Sequence, residues 1–182
     1  MKDLSLHILD IVQNSIAAGG RLIEIRVEEN RSADTLTITV KDDGKGMEPE
    51  VLERVCDPYF TSRTTRKVGL GIPLLKQNAM QTGGSLKLES VPGKGTTLSA
   101  VFGHGHIDRP ALGDMAGIVS MLCGSNPERD FLYQHSSDEA TYLFDSRQVK
   151  EALDGVPISE LGVIRFLREM IGENLADIKA GK

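Results

Sequence analysis

Twice in its first hundred residues this chain ends a helical run on a pair of glycines and passes straight into two alternating strands. Residues 4–18 carry Leu9, Val12 and Ile16 at spacings of three and four, which predicts a stripe facing a core. Gly19-Gly20 closes that helix as a C-terminal cap. Beyond it Ile23, Ile25 and Val27 alternate with Leu22, Glu24, Arg26 and Glu28, and Leu36, Ile38 and Val40 alternate with Thr35, Thr37 and Thr39. The polar run Asn30-Arg31-Ser32-Ala33-Asp34 between them is turn chemistry, so the two strands form a hairpin with one buried face. A second helical run, residues 71–82, tolerates Pro73 because it lies in the opening turn, and Gly83-Gly84 ends it. Residues 85–90 and 96–102 then make a second hairpin around Pro92-Gly93-Lys94-Gly95. A short helix over residues 48–56 and a polar, basic loop over 57–68 fill the interval. Helix, hairpin, helix, loop, helix, hairpin is the order of an α/β two-layer sandwich, a mixed or antiparallel sheet covered on one face by helices.

The break Gly103-His104-Gly105-His106-Ile107-Asp108-Arg109-Pro110 marks a linker at 104–110, dividing residues 1–103 from a smaller α/β segment at 111–182. That segment has an amphipathic helix (Leu112, Met115, Val119, Leu122), strands near 131–135 and 141–144, and two closing helices. The last of these carries Ile164, Leu167, Ile171 and Leu175 at core spacing. A formal charge of −5 argues against a general nucleic-acid partner, which calls for a basic surface. No apolar run reaches the roughly 18–20 residues that span a membrane. The N-terminus does not read as a signal peptide, and two cysteines, Cys56 and Cys123, make no disulfide framework. The expectation is a cytoplasmic protein with no membrane partner.

Four segments carry chemistry. Asp42 ends a strand, with Gly44 and Gly46 just after it; an ionised carboxylate accepts hydrogen bonds only, which suits an exocyclic amine, and glycine lets backbone approach a flat ring. His7, Asp10 and Asn14 form a polar stripe on the first helix. The Asn14 amide oxygen is a hard neutral ligand of the kind Mg²⁺ takes beside phosphates, and Asp10 can orient or deprotonate a nucleophile. Gly69-Leu70-Gly71 opens a helix, where free N–H groups and the dipole attract phosphate, and Arg63, Arg66 and Lys67 precede it. Thr96, entering a strand after Gly95, offers a hydroxyl. Together these point to a bound magnesium nucleotide, ATP with Mg²⁺.

On these residues the chain resembles the superfamily of sensor histidine kinases, anti-sigma-factor serine kinases, DNA gyrase, mismatch-repair proteins and the large heat-shock chaperones, which share the Bergerat ATP-binding fold. The helix with Asp10 and Asn14 looks like the N box, Asp42 to Met47 like the G1 box, and Tyr59-Phe60-Thr61-Ser62-Arg63 like the F box. Gly69 to Ile72 is similar to the G2 box, and Gly93 to Thr97 to the closing glycine-threonine element. The resemblance, over roughly residues 4–102, implies that Asn14 takes the magnesium, Asp42 the adenine amine, and Gly69 with Gly71 the phosphates. It makes residues 57–68 a short ATP lid, with Phe60, Thr61, Arg63, Lys67 and Leu70 among the nucleotide contacts. Two departures stand out. Asp10 is one methylene shorter than the Glu of many members, and Val68 stands where kinases often carry Thr.

A complete sensor kinase places a helical dimerisation hairpin with the phosphoacceptor histidine before the N box, and only a few residues precede that helix here. The expected function is therefore an ATP-dependent protein kinase acting in trans on an unidentified protein. Two alternatives are a nucleotide-gated switch that recruits a regulatory partner without turnover, and a slow ATPase in which Asp10 activates water. Phosphoryl transfer asks mainly for positioning and charge stabilisation, so few catalytic side chains are expected. His7 reads as a local hydrogen-bonding partner, and His104 and His106 lack the companions a metal site needs.

Overall fold

The computed structural model describes residues 3–55 and 71–181. Tyr59, Phe60, Thr61, Arg63, Arg66, Lys67, Gly69 and Leu70 lie outside the described residues, as does Cys56. Helix α1 (Leu4–Ala17) leads to strands β1 (Leu22–Asn30) and β2 (Thr35–Asp42), and α2 (Pro49–Arg54) follows. Helix α3 (Gly71–Gln81) precedes β3 (Ser85–Val91) and β4 (Gly95–Gly103). Helix α4 (Met115–Ser125), strands β5 (Asp130–Ser136) and β6 (Thr141–Asp145), and helices α5 (Ser146–Ala152) and α6 (Leu161–Asp177) complete the order.

All six strands join one sheet in the order β3-β4-β2-β1-β5-β6. Every neighbouring pair is antiparallel except β1 and β5, which run parallel from Leu22 opposite Asp130 to Glu28 opposite Ser136. The sheet is mixed, as expected for this α/β sandwich. The strands of the 111–182 segment extend that same sheet, β5 beside β1 and β6 at the edge, and Phe131, Tyr133, Phe144, Leu167 and Ile171 bury into the same core as Ile25 and Ile38. Residues 111–182 thus share a core with the first part of the chain and do not close one of their own. The reason is geometric: two short strands cannot bury an apolar face alone, and β1 offers an open edge. The start of that segment is tied down as well, because Ala111 and Leu112 accept hydrogen bonds from the Leu4 and Ser5 N–H groups at the start of α1.

One face of the sheet is apolar, with Ile23, Ile25 and Val27 on β1 and Leu98, Ala100 and Phe102 on β4 buried in alternation. Helices α1, α3 and α4 pack over it, and α6 lies against α4. The opposite face is polar at β1, β2 and β4: Glu24 pairs with Arg26 and Lys41, and Thr39 meets Ser99. Helix α1 differs in detail from its sequence reading. The stripe it buries is Leu4, Ile8, Ile11, Val12 and Ser15, whereas Leu9 and Ile16 are half-buried on its flank. The helix is apolar on more than one side, so periodicity alone leaves its rotation undecided. Asp3 caps its start by accepting from the Leu6 N–H at 3.0 Å, and Gly19, at φ +81°, turns the chain out of it.

Candidate functional site

The inward alternation of β2 runs Leu36, Ile38, Val40 and then Asp42, so a carboxylate takes the fourth place in an apolar row. Asp42 is only 6% exposed, and a buried carboxylate requires partners. Ser15 on α1 donates to its Oδ2 at 2.6 Å, and the Gly44 N–H donates to its Oδ1 at 2.9 Å. The side chain is thus held from both sides at the end of the strand.

Neighbouring strands continue this polar row. Asp42 is paired with Thr96 on β4, and Thr96 with Ser90 on β3. The Thr96 and Ser90 hydroxyls stand 2.9 Å apart, and Ser90 Oγ accepts from the Met47 N–H at 2.8 Å. The loop between β2 and α2 is stitched down at both ends: the Lys45 N–H donates to Ala18 O at 2.9 Å, and Lys45 O accepts from Gly93 at 2.7 Å. Its glycines have reasons internal to the fold. Gly46 has φ +66° and a Cβ there would run into the Val91 carbonyl, while a Cβ on Gly44 would stand 2.8 Å from the Ala18 carbonyl. Gly95, at φ +109°, passes against the Asp42 carbonyl.

The polar stripe of α1 faces α3. His7 Nε2 lies 3.0 Å from Asn78 Nδ2 in the third turn of α3, and Asp10 lies against Gly71, its first residue. A Cβ on Gly71 would collide with the Asp10 carboxylate, so glycine is what permits this approach. Asn14 follows Asp10 by one turn, about 6 Å farther along the axis, which carries it past the start of α3 toward the Asp42 end of the sheet. Asp42, Gly44, Gly46 and Thr96 thus converge at the ends of β2 and β4, Asp10 meets Gly71 where α1 faces α3, and Asn14 stands on α1 between Asp10 and Ser15, which reaches Asp42.

Sequence reading missed Ser15 and Ser90. A signal existed for the first, since Ile8, Ile11 and Ser15 follow one helical stripe and a hydroxyl among core residues calls for a partner. For Ser90 the only clue was its parity with Leu86 and Leu88 on β3.

Residues 2–104 match the family described as Histidine kinase-, DNA gyrase B-, and HSP90-like ATPase. The chain belongs to this family. It is 39% identical over 97 residues to the sensor histidine kinase ZraS of Salmonella typhimurium, covering 53% of this chain and 21% of that one. It is 38% identical over 94 residues to the sensor protein kinase FleS of Pseudomonas aeruginosa, covering 52% and 23%. The chain thus spans about a fifth of the length of these relatives. Among solved structures, the N-terminal domain of a DNA repair protein superposes with a TM-score of 0.56 at 17% identity, covering 79% of this chain and 52% of that chain. That likeness is one of fold, and it reaches beyond what residues 2–104 alone could supply. This is a member of an ATP-binding, kinase-like ATPase superfamily, and the convergence at Asp42 and Asp10 lies within the matched residues.

Two other features lie away from this convergence. A groove of about 430 Å³ is lined by Asp114, Ala116, Arg165, Arg168, Glu169 and Gly172, on elements that contribute none of the residues above. Cys123 is buried, which pushes its thiol up to about 12 and leaves it a protonated core residue. No helix among the described residues is long and apolar enough to cross a membrane, and none of them form a cluster suited to a metal through His, Cys, Asp or Glu.

Proposed function

We propose that this chain is a protein kinase that uses magnesium ATP to phosphorylate a partner protein. The observation that carries this reading is the approach of the Asp10 carboxylate to Gly71, which puts an acid at the helix terminus suited to phosphate. Asp42 offers buried acceptor oxygens for the adenine amine, with Gly44 and Gly46 at its side. Thr96 supports that corner through Ser90. Asn14 supplies the amide oxygen for Mg²⁺. Gly71, together with Gly69 and Leu70, takes the phosphates, and Phe60, Thr61, Arg63 and Lys67 are assigned to the lid. A bound magnesium nucleotide supplies the phosphoryl group, and Asp10 accepts the proton of the attacking hydroxyl or imidazole.

The need for an outside acceptor is supported by where the four histidines stand. His7 is buried on Asn78; His104 and His135 are bound to Glu29 at the far end of β1; His106 lies beyond β4 beside Asp108. His7, the one histidine on the Asp10 stripe of α1, is buried and committed to Asn78.

Incubation with γ-labelled ATP and a cell extract tests the proposal. Label on a protein band, lost in Asp10→Asn, is the expected result. Free labelled phosphate alone rejects the kinase reading in favour of an ATPase. Tight ATP binding with neither product leaves a nucleotide-gated switch, a reading favoured by the hydrogen bonds that join residues 111 and 112 to the start of α1.

A further inference from the structure

Helix α3 is thinly anchored. Of its eleven residues only Leu75 and Ala79 are buried, and Ile72 packs at the margin. Apolar contacts are non-directional, so two anchors one turn apart fix the helix to the sheet but resist rolling about its axis only weakly. Directional contact with α1 comes from Asn78, whose Nδ2 lies 3.0 Å from His7 Nε2.

His7 is an odd choice for packing alone. It is 1% exposed, and its second ring nitrogen, Nδ1, has no partner among the described residues. A buried nitrogen without a partner weakens a fold, so an apolar residue would serve the core better. Burial lowers the pKa of the ring, outweighing the nearby carboxylates of Asp10 and Asp3, which raise it. His7 is thus a neutral hydrogen-bonding group committed to one contact.

The placement of that contact gives it a purpose. His7 and Asp10 stand three residues apart on one stripe of α1, and Asn78 and Gly71 stand seven apart on one face of α3. The His7–Asn78 bond and the Asp10–Gly71 approach therefore lie along a single seam between the helices. A roll of α3 would move Gly71 away from Asp10 and Asn78 away from His7 together.

We infer that His7 is a positioning residue: its hydrogen bond to Asn78 fixes the roll of α3 on α1 and so holds Gly71 against Asp10. The consequence for phosphate binding rests on the nucleotide reading above, whereas the rotational strut does not.

The discriminating variant is the double substitution His7→Leu/Asn78→Leu, because replacing both partners with apolar groups is close to neutral for stability. Melting temperature, amide exchange in the first turn of α3, and calorimetric affinity for a nonhydrolysable ATP analogue are measured together. The strut predicts an unchanged or higher melting temperature, first-turn exchange about 3- to 10-fold faster, and affinity about 3- to 10-fold weaker. His7→Gln, which keeps a hydrogen-bonding amide, restores much of both. A double variant with native exchange and native affinity overturns the inference. If that variant does not fold, Asn78→Ala on the half-buried face replaces it, and native first-turn exchange there overturns the strut equally. Failure of the unmodified protein to bind the analogue rejects the nucleotide reading and leaves the exchange result to decide the strut.

Discussion

The Glu29 carboxylate accepts a hydrogen bond from His135 Nε2 at 2.7 Å, joining β1 to β5 at the end of the sheet remote from Asp42. His135 is fully buried, and its Nδ1 lies 2.7 Å from the Tyr133 hydroxyl. His104 Nε2 lies 3.0 Å from the other Glu29 oxygen, and the Gly181 N–H donates at 2.6 Å. One acid thus gathers β1, β5, the segment after β4 and the C-terminal turn.

This cluster should set the acid limit of the fold. Burial works to raise the Glu29 pKa, but the bonds from His135, Gly181 and His104 overcome it and hold the carboxyl at about 2, against an ordinary 4.5. A carboxyl with a depressed folded pKa stabilises the native state above its unfolded value, and that stabilisation is lost as pH falls through the folded one. The contribution is on the order of 3 kcal/mol, lost between pH 4.5 and 2. Urea melts across that window should show the loss in the native protein and a much flatter profile in Glu29→Gln. Equal slopes in the two would reject the assignment.

Asp42→Asn should weaken ATP binding roughly 10- to 150-fold, since a charged acceptor worth about 1.5–3 kcal/mol is removed. Ser15→Ala should cost less, about 2- to 10-fold, because Gly44 still holds the other oxygen. Titration calorimetry separates the two. Unchanged affinity in Asp42→Asn removes Asp42 from the site.

Glycine substitutions should divide by what the new Cβ meets. At Gly46 it meets the Val91 backbone in a left-handed conformation, so Gly46→Ala should lower stability by about 1–3 kcal/mol. At Gly71 it meets the far end of the Asp10 side chain, which can swing aside. Gly71→Ala should therefore melt close to the native temperature while phosphotransfer falls about 10-fold or more for the displaced acid. Scanning calorimetry beside an activity assay checks both, and equal melting losses would contradict the distinction.

Asp10→Asn should leave ATP affinity within about threefold and reduce phosphotransfer by about 100-fold or more, the usual scale for a lost general base. Filter-binding and label transfer on the same preparation decide this. Full transfer would show that Asp10 is not the proton acceptor.

The elements that carry Asp42, Gly71, Asp10 and Asn14 were legible in the sequence, because these residues sit where local rules act. Asp42 ends a strand whose alternation is plain, Gly71 opens a helix, and Asp10 and Asn14 repeat at a helical interval. The rotation of α1 was not legible, since Leu9 and Ile16 compete with Ile8 and Ile11 for the core and only the sheet beneath chooses between them. Ser15 shares the Ile8–Ile11 stripe, so its place was readable only with that rotation chosen.

Sequence alone determined the local elements, their order, and the residue types that suit a purine, a metal and a phosphate, all readable within a few turns or one hairpin. Tertiary structure decided which distant groups meet. Val27 pairs with His135, His7 meets Asn78, and the final strands join the first sheet because β1 had an open edge to fill. Hydrogen bonding and burial act through space, so partners such as Glu29 and His135, 106 positions apart, leave no periodic trace along the chain.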